Sequence, residues 1–197
     1  PRGIELKKSL GIMQGDSIIK VLDEVKEHRP TLSPSFWSEG LLNKKLFKMF
    51  VEEARARELP VEINTNALLI TDEVAEFMVK HLDQISISID AVNKETLVKT
   101  RATDELEKIK KAVFLLLEKR GDRLRPRMVV SFSVEESNLD ERDEFVEYWT
   151  QHVDAVRINE VYSDDRKIQK EISAPERYPC REIYDSMTID YNGDVRI

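Results

Sequence analysis

Residues 84–90 read Gln84-Ile85-Ser86-Ile87-Ser88-Ile89-Asp90. Isoleucine alternates with a polar side chain, the period of two that sends successive side chains to opposite faces of a β-strand. The run predicts a strand that ends on an acid. Moving toward the N-terminus, Thr71 stands where a helix cap belongs, with Asp72 and Glu73 in the first turn, where carboxylates suit the helix dipole. A strand over residues 60–64, carrying Val61 and Ile63, runs into Asn64-Thr65-Asn66-Ala67. Before it, residues 41–58 form a long amphipathic pattern with Leu46, Phe47, Phe50 and Ala54 on one face. A proline-containing strand over 31–37 leads into Trp37-Ser38-Glu39-Gly40-Leu41-Leu42. Asp16 is positioned to cap a first helix with the stripe Ile18, Leu22 and Val25, closed by Pro30. Residues 1–14 read as an irregular lead-in.

Toward the C-terminus the alternation continues. A helix is predicted over 104–120 and a strand over 127–134. Asn138 followed by Glu141 has the spacing of a capping box opening a helix to His152. A strand follows over 154–158. Strand and helix thus alternate through five strands, which predicts βαβ crossovers and a parallel α/β sheet with its strands in chain order. In such a sheet the C-terminal strand ends open on one face, so the polar motifs after successive strands converge there. After Asn159 the pattern becomes a polar loop. Residues 187–190 and 195–197 flank Asn192-Gly193, a β-hairpin signal of the type I′ kind.

The 197 residues suffice for one domain with a core. A net charge of −7 argues against a nucleic-acid partner held by phosphate attraction. No apolar run approaches a membrane span and no signal peptide is visible, so no membrane partner and a cytoplasmic setting are expected. One cysteine, Cys180, excludes an internal disulfide and fits a reducing compartment. The chain starts at Pro1 and stops at Ile197 in mid-strand, and it reads as a piece of a longer protein.

Taken singly, the polar residues have ordinary roles. Glu39 can be a helix N-terminal acid, Thr65-Asn66 a turn, Ser88 and Asp90 the polar face of a strand, and Arg101 a surface charge. His28, His81 and His152 all fall near predicted helix ends, where the dipole favours them. Their order and spacing say more. Trp-Ser-Glu-Gly-Leu-Leu, Thr-Asn-Ala and Ser-Ile-Asp, one β/α unit apart, resemble the barrel of radical S-adenosylmethionine (SAM) enzymes. Those carry Gly-Gly-Glu-Pro-Leu-Leu, Thr-Asn-Gly and Ser-x-Asp after successive strands, with an Arg some ten residues on, the place of Arg101. The lead-in Ile12-Met13-Gln14 resembles the stretch after that family's cluster-binding loop. The resemblance covers roughly residues 12–160. The tail resembles the start of a SPASM extension, a cysteine-rich module that binds auxiliary iron–sulfur clusters. Twelve residues separate Cys180 from Gly193, and the module's second Cys would be residue 198.

The resemblance implies a partial (β/α) barrel over 1–160, truncated at both ends, and over 161–197 a linker and the start of a SPASM module with its β-hairpin. It implies SAM and [4Fe–4S] clusters as cofactors of the full-length parent, and a 5′-deoxyadenosyl radical that takes hydrogen from a peptide or small molecule. A reductant such as flavodoxin or ferredoxin would be a partner. On the same basis Glu39 would accept from the SAM ammonium. Ser88 would meet the carboxylate or ribose, Asp90 the ribose hydroxyls, and Arg101 the carboxylate. Thr65 and Asn66 would shape the strand end, and Cys180 would ligate an auxiliary cluster. The family's Cys-x3-Cys-x2-Cys is missing and belongs upstream of Pro1. One Cys cannot replace three, so the chain alone is expected to hold no barrel cluster and to be inactive. Two rivals stand beside this reading. An unrelated barrel enzyme should show a strand-end Lys or a Gly-rich phosphate loop, and neither is present. A degenerate, cluster-free binding scaffold would account for the altered Glu39 and Asn66 motifs.

Overall fold

The computed structural model describes residues 11–35, 39–160 and 182–196. Four strands form one sheet in chain order: β1 (Glu62–Thr65), β2 (Gln84–Ser88), β3 (Arg127–Val134) and β4 (Ala155–Glu160), each parallel to the next. Both the order and the direction are those the alternating pattern predicts. The fifth expected strand, over 31–37, is reduced to a single parallel bridge from Leu32 to Val61. Pro34 follows it, and a proline has no N–H to extend a ladder. Trp37 and Ser38 lie outside the described residues.

The helices are α1 (Gly15–Val25), α2 (Lys44–Ala56), α3 (Asp72–His81), α4 (Lys94–Arg101), α5 (Leu106–Arg120) and α6 (Arg142–Trp149). Several depart from expectation. Asp16 does not cap α1 but lies in its first turn, after Gln14. The long helix over 41–58 is split into a 3₁₀ turn, Gly40–Asn43, and α2, because the Asn43 carboxamide accepts from Leu46 N at 3.1 Å and starts a new helix. Thr71 caps α3 as expected, accepting from Val74 N at 3.4 Å. The short helix α4 has no counterpart in the sequence reading; its signal was Asn93, which accepts from Thr96 N at 2.9 Å.

The sheet is two-faced. Ile63, Ile85, Ile87, Met128, Val130 and Phe132 are fully buried on the face covered by helices. Phe132 meets Phe145 of α6 at 4.8 Å between ring centroids, and Trp149 follows at 6.2 Å from Phe145. The opposite face carries Asn64, Ser86, Ser88, Ser131, Ser133 and Arg157, by strict alternation with the buried set.

At the N-terminal strand ends, aspartates clamp neighbouring strands. Asp83, just before β2, accepts from Val61 N at 2.9 Å and from Arg55 Nη1 at 3.0 Å, and pairs with Arg125. Asp154, just before β4, accepts from Met128 N at 2.6 Å and pairs with Arg120. A cavity of about 520 Å³ lies at this end, lined by Pro60, Glu62, Asp83, Gln84, Arg125 and Arg127 among others.

The tail forms a short helix, α7 (Glu182–Asp185), and an antiparallel hairpin of β5 (Thr188–Ile189) with β6 (Val195–Arg196). Its turn is not the expected type I′. Gly193 alone has positive φ, at 89°, and donates to Asp190 O at 2.9 Å, while Asp190 N bonds Asp194 O at 2.8 Å. This is a three-residue loop closed by a left-handed glycine, for which a residue without Cβ is required.

Candidate functional site at the C-terminal strand ends

The polar motifs gather where parallel strands end. Glu39 precedes the 3₁₀ turn, whose first residue, Gly40, packs with its Cα side near Ile63 and Ser35. The Glu39 carboxylate reaches the end of β1. Thr65 Oγ1 donates to Oε1 at 2.8 Å, Asn66 N donates to Oε2 at 2.9 Å, and Leu41 N donates to Oε1 at 3.4 Å. Thr65 in turn accepts from Ala67 N at 3.1 Å, and the Asn66 carboxamide oxygen accepts from Leu68 N at 3.0 Å. Two short side-chain turns thus fold the chain back over the strand end. Ala67 has φ +63°, in the left-handed region, and is buried. It stands where the related motif carries glycine.

One strand over, Ser88 closes β2 and its hydroxyl accepts from Ser131 Oγ at 3.3 Å. Asp90 follows with φ +63°, a conformation aspartate tolerates better than most residues. It is buried, with both oxygens engaged. Ser133 N donates to Oδ1 at 2.6 Å, and Arg101 donates to Oδ2 from Nε at 2.7 Å and also from Nη2. Arg101 therefore sits against Asp90, expected to meet ribose, and keeps three of its five N–H groups for other acceptors. The structure brings Glu39, Thr65 and Asn66 into one network and Asp90 and Arg101 into a second, with Ser88 between them on β2. Cys180 lies outside the described residues.

Two residues of this end were assigned another task from sequence. Asn138 and Glu141 do not form a capping box. Asn138, fully buried, donates to Asp90 O at 3.0 Å and Ser133 O at 2.9 Å, and accepts from Glu135 N at 2.7 Å. Glu141 reaches across to the start of α4, accepting from Val92 N at 2.6 Å and Asn93 Nδ2 at 2.5 Å, and from the Thr96 hydroxyl. The loop after β3 thereby holds both the Asp90 turn and the helix that ends in Arg101. Ser131 and Ser133 were also missed; the signal was Ser131-Phe132-Ser133, which repeats the alternation of Ser86-Ile87-Ser88.

Comparisons with known proteins follow this geometry. The sequence signature described as the Radical SAM superfamily matches residues 7–148. Among solved structures, native anSMEcpe with bound AdoMet is similar at a TM-score of 0.65 and 15% identity, covering 79% of this chain and 44% of that one. The same protein with AdoMet and a Kp18Cys peptide gives 0.63 and 16%, covering 78% and 44%. With a Cp18Cys peptide it gives 0.64 and 16%, covering 78% and 44%. The chain thus spans less than half the length of these structures. Comparison with curated proteins gave no match.

Proposed function

Because the chain belongs to the Radical SAM superfamily, we propose that it supplies the SAM-binding strand ends of a radical SAM enzyme. The observation that carries this reading is the Glu39 carboxylate, fixed at the end of β1 by Thr65 and Asn66 in the strand layer next to Ser88. A carboxylate has about four acceptor sites. Three are taken here, and Oε2, with a single donor, keeps room for an ammonium. The free N–H groups of Arg101 and the Ser88 hydroxyl suit a carboxylate. The buried Asp90 carboxylate holds the part-exposed Arg101 by an ion pair, so the guanidinium is oriented before the ligand arrives.

The family's reaction rests on SAM and a [4Fe–4S] cluster, which supplies the electron for SAM cleavage when bound. Such a cluster needs several thiolates, and this chain has one cysteine. Among the described residues, no group of three or more His, Cys, Asp or Glu is placed to hold a metal. The residues present do not fit the barrel cluster, and in this proposal the chain alone neither carries it nor cleaves SAM. The parent enzyme would abstract hydrogen from a substrate, and the peptide complexes of anSMEcpe favour a peptide. A flavodoxin or ferredoxin would serve as reductant. Residues 161–197 would open a SPASM module, a reading supported by the β5–β6 hairpin and the spacing of Cys180 from Gly193.

Calorimetric titration of SAM into the cluster-loaded full-length parent tests the site. Glu39→Ala is expected to weaken binding by about 1.5–3 kcal/mol, the range for a hydrogen bond to a charged group. Unchanged affinity would remove Glu39 from the SAM site and overturn the residue-by-residue assignment at its best-supported position. Cys180→Ala in the same protein is expected to lower the iron content and leave SAM affinity unaltered; a full iron complement would remove the SPASM assignment.

A further inference from the structure

On the sheet face opposite the helices, Arg157 is the guanidinium nearest the C-terminal strand ends that has no acceptor among the described residues. Arg157 lies on β4, level with Ser131 on β3 and, through it, with Ser88 on β2. Paired residues of parallel strands share a face, and Val156 on the other side packs against the core, so Arg157 stands on the same side as the two hydroxyls. It is exposed and has no hydrogen-bond or ion-pair partner among the described residues. Ser131 and Ser133, its neighbours on β3, are uncharged. The acid of its own strand, Glu160, falls on the other face by alternation.

Most arginines elsewhere in the described chain are engaged: Arg55 and Arg125 on Asp83, Arg57 on Asp23 and Glu53, Arg101 on Asp90, and Arg120 on Asp154. Arg29 and Arg127 are exposed and unpartnered too, but Arg127 opens β3 at the N-terminal end and Arg29 follows α1, away from the C-terminal strand ends.

We propose that Arg157 anchors a carboxylate of the substrate; the inference rests on the cofactor reading of the same face. SAM's own carboxylate is not the ligand, because it shares a carbon with the ammonium. With the ammonium on Glu39, beside β1, that carboxylate falls to Ser88 and Arg101. Arg157 is three strands away from β1, roughly 14 Å at the usual spacing. The far side of the sheet is where a second molecule lies. A planar guanidinium fork pairs best with a planar carboxylate, so the substrate would be acidic: a peptide with an Asp, Glu or C-terminal carboxylate, or a small carboxylic acid.

The test uses the 197-residue chain, ¹⁵N-labelled, with the Arg157 Nε–H signal assigned by its loss in Arg157→Gln. Glutarate, glutaramide, inorganic phosphate and SAM are titrated in turn. Glutarate is expected to saturate the Arg157 signal at a concentration at least about tenfold below that needed at Arg29 and Arg127, as a placed fork should. Glutaramide should leave it unmoved. A response no tighter than at those two arginines overturns the site, and phosphate binding more tightly than glutarate overturns the carboxylate assignment. Saturation of Arg157 by SAM alone overturns the substrate role. Shifts of the Ser88 and Asn66 amides report the cofactor separately. If SAM leaves both unmoved, the cofactor reading and the substrate role fail together, whatever preference for glutarate Arg157 shows.

Discussion

Asn138 shows how much one side chain can hold. Its buried carboxamide satisfies two carbonyls and one N–H, and the bond to Asp90 O is itself buried. Asn138→Ala is therefore expected to cost about 1–3 kcal/mol in urea unfolding, the range for stranded buried polar groups. A loss below a few tenths would mean that water replaces it. Ala67 tells the opposite story. A left-handed backbone costs an L-residue roughly 1–2 kcal/mol, so Ala67→Gly relieves strain while giving up one buried methyl and adding chain entropy. The expected net change in urea unfolding is near zero, whereas Ala67→Val, with a branched Cβ at φ +63°, is expected to be strongly destabilising. Position was legible in the sequence for Glu39, Thr65, Asn66, Ser88, Asp90 and Arg101, because motif spacing follows the strand repeat. Partnership was not. Nothing in a one-dimensional pattern says that Asp90 and Arg101 satisfy each other, or that Ser133, forty-three residues on, closes the same carboxylate.

At the level of elements, the parallel strands were legible because their alternation is regular and their flanking helices long. Helix α4 was not, since eight residues with two buried side chains leave a weak periodic signal. The Asn138–Glu141 pair was misread for a physical reason: the spacing of a capping box also suits two side chains that reach to other elements. The docking of α1 on α2 offers a pH test. Arg57, following α2, donates to Asp23 of α1 at 3.0 Å and to Glu53 at 2.6 Å. The Arg57 hydrogen bond, with Lys26 second, holds the Asp23 carboxyl below its ordinary value of 3.8. A carboxylate with a depressed folded value stabilises the fold above its unfolded value, and the contribution fades as pH falls through the folded one. In Arg57→Ala, the NMR titration midpoint of Asp23 is expected to rise toward 3.8. A midpoint unchanged from wild type would show that the pair does not form in solution.

For the molecule as a whole, stability concentrates on one face of the sheet. Phe132, on β3, joins the strands to Phe145 and, through it, Trp149 of α6. Phe132→Ala is expected to cost about 3–5 kcal/mol by leaving a cavity at that junction, read as a lower urea midpoint with an unchanged slope. The other face is mostly polar, though Ser86, Val129 and Ser131 on it are buried as well. Finally, β4 ends the sheet. Among the described residues nothing pairs with its free side, which leaves a row of backbone donors and acceptors open to recruitment by another strand. Arg157, Asn159 and Glu160 keep that border charged and polar against self-association. Handling of the isolated chain should therefore be governed by this border rather than by the core. Sedimentation velocity is expected to show reversible, concentration-dependent growth in particle size when Arg157 is neutralised, with the fold itself intact.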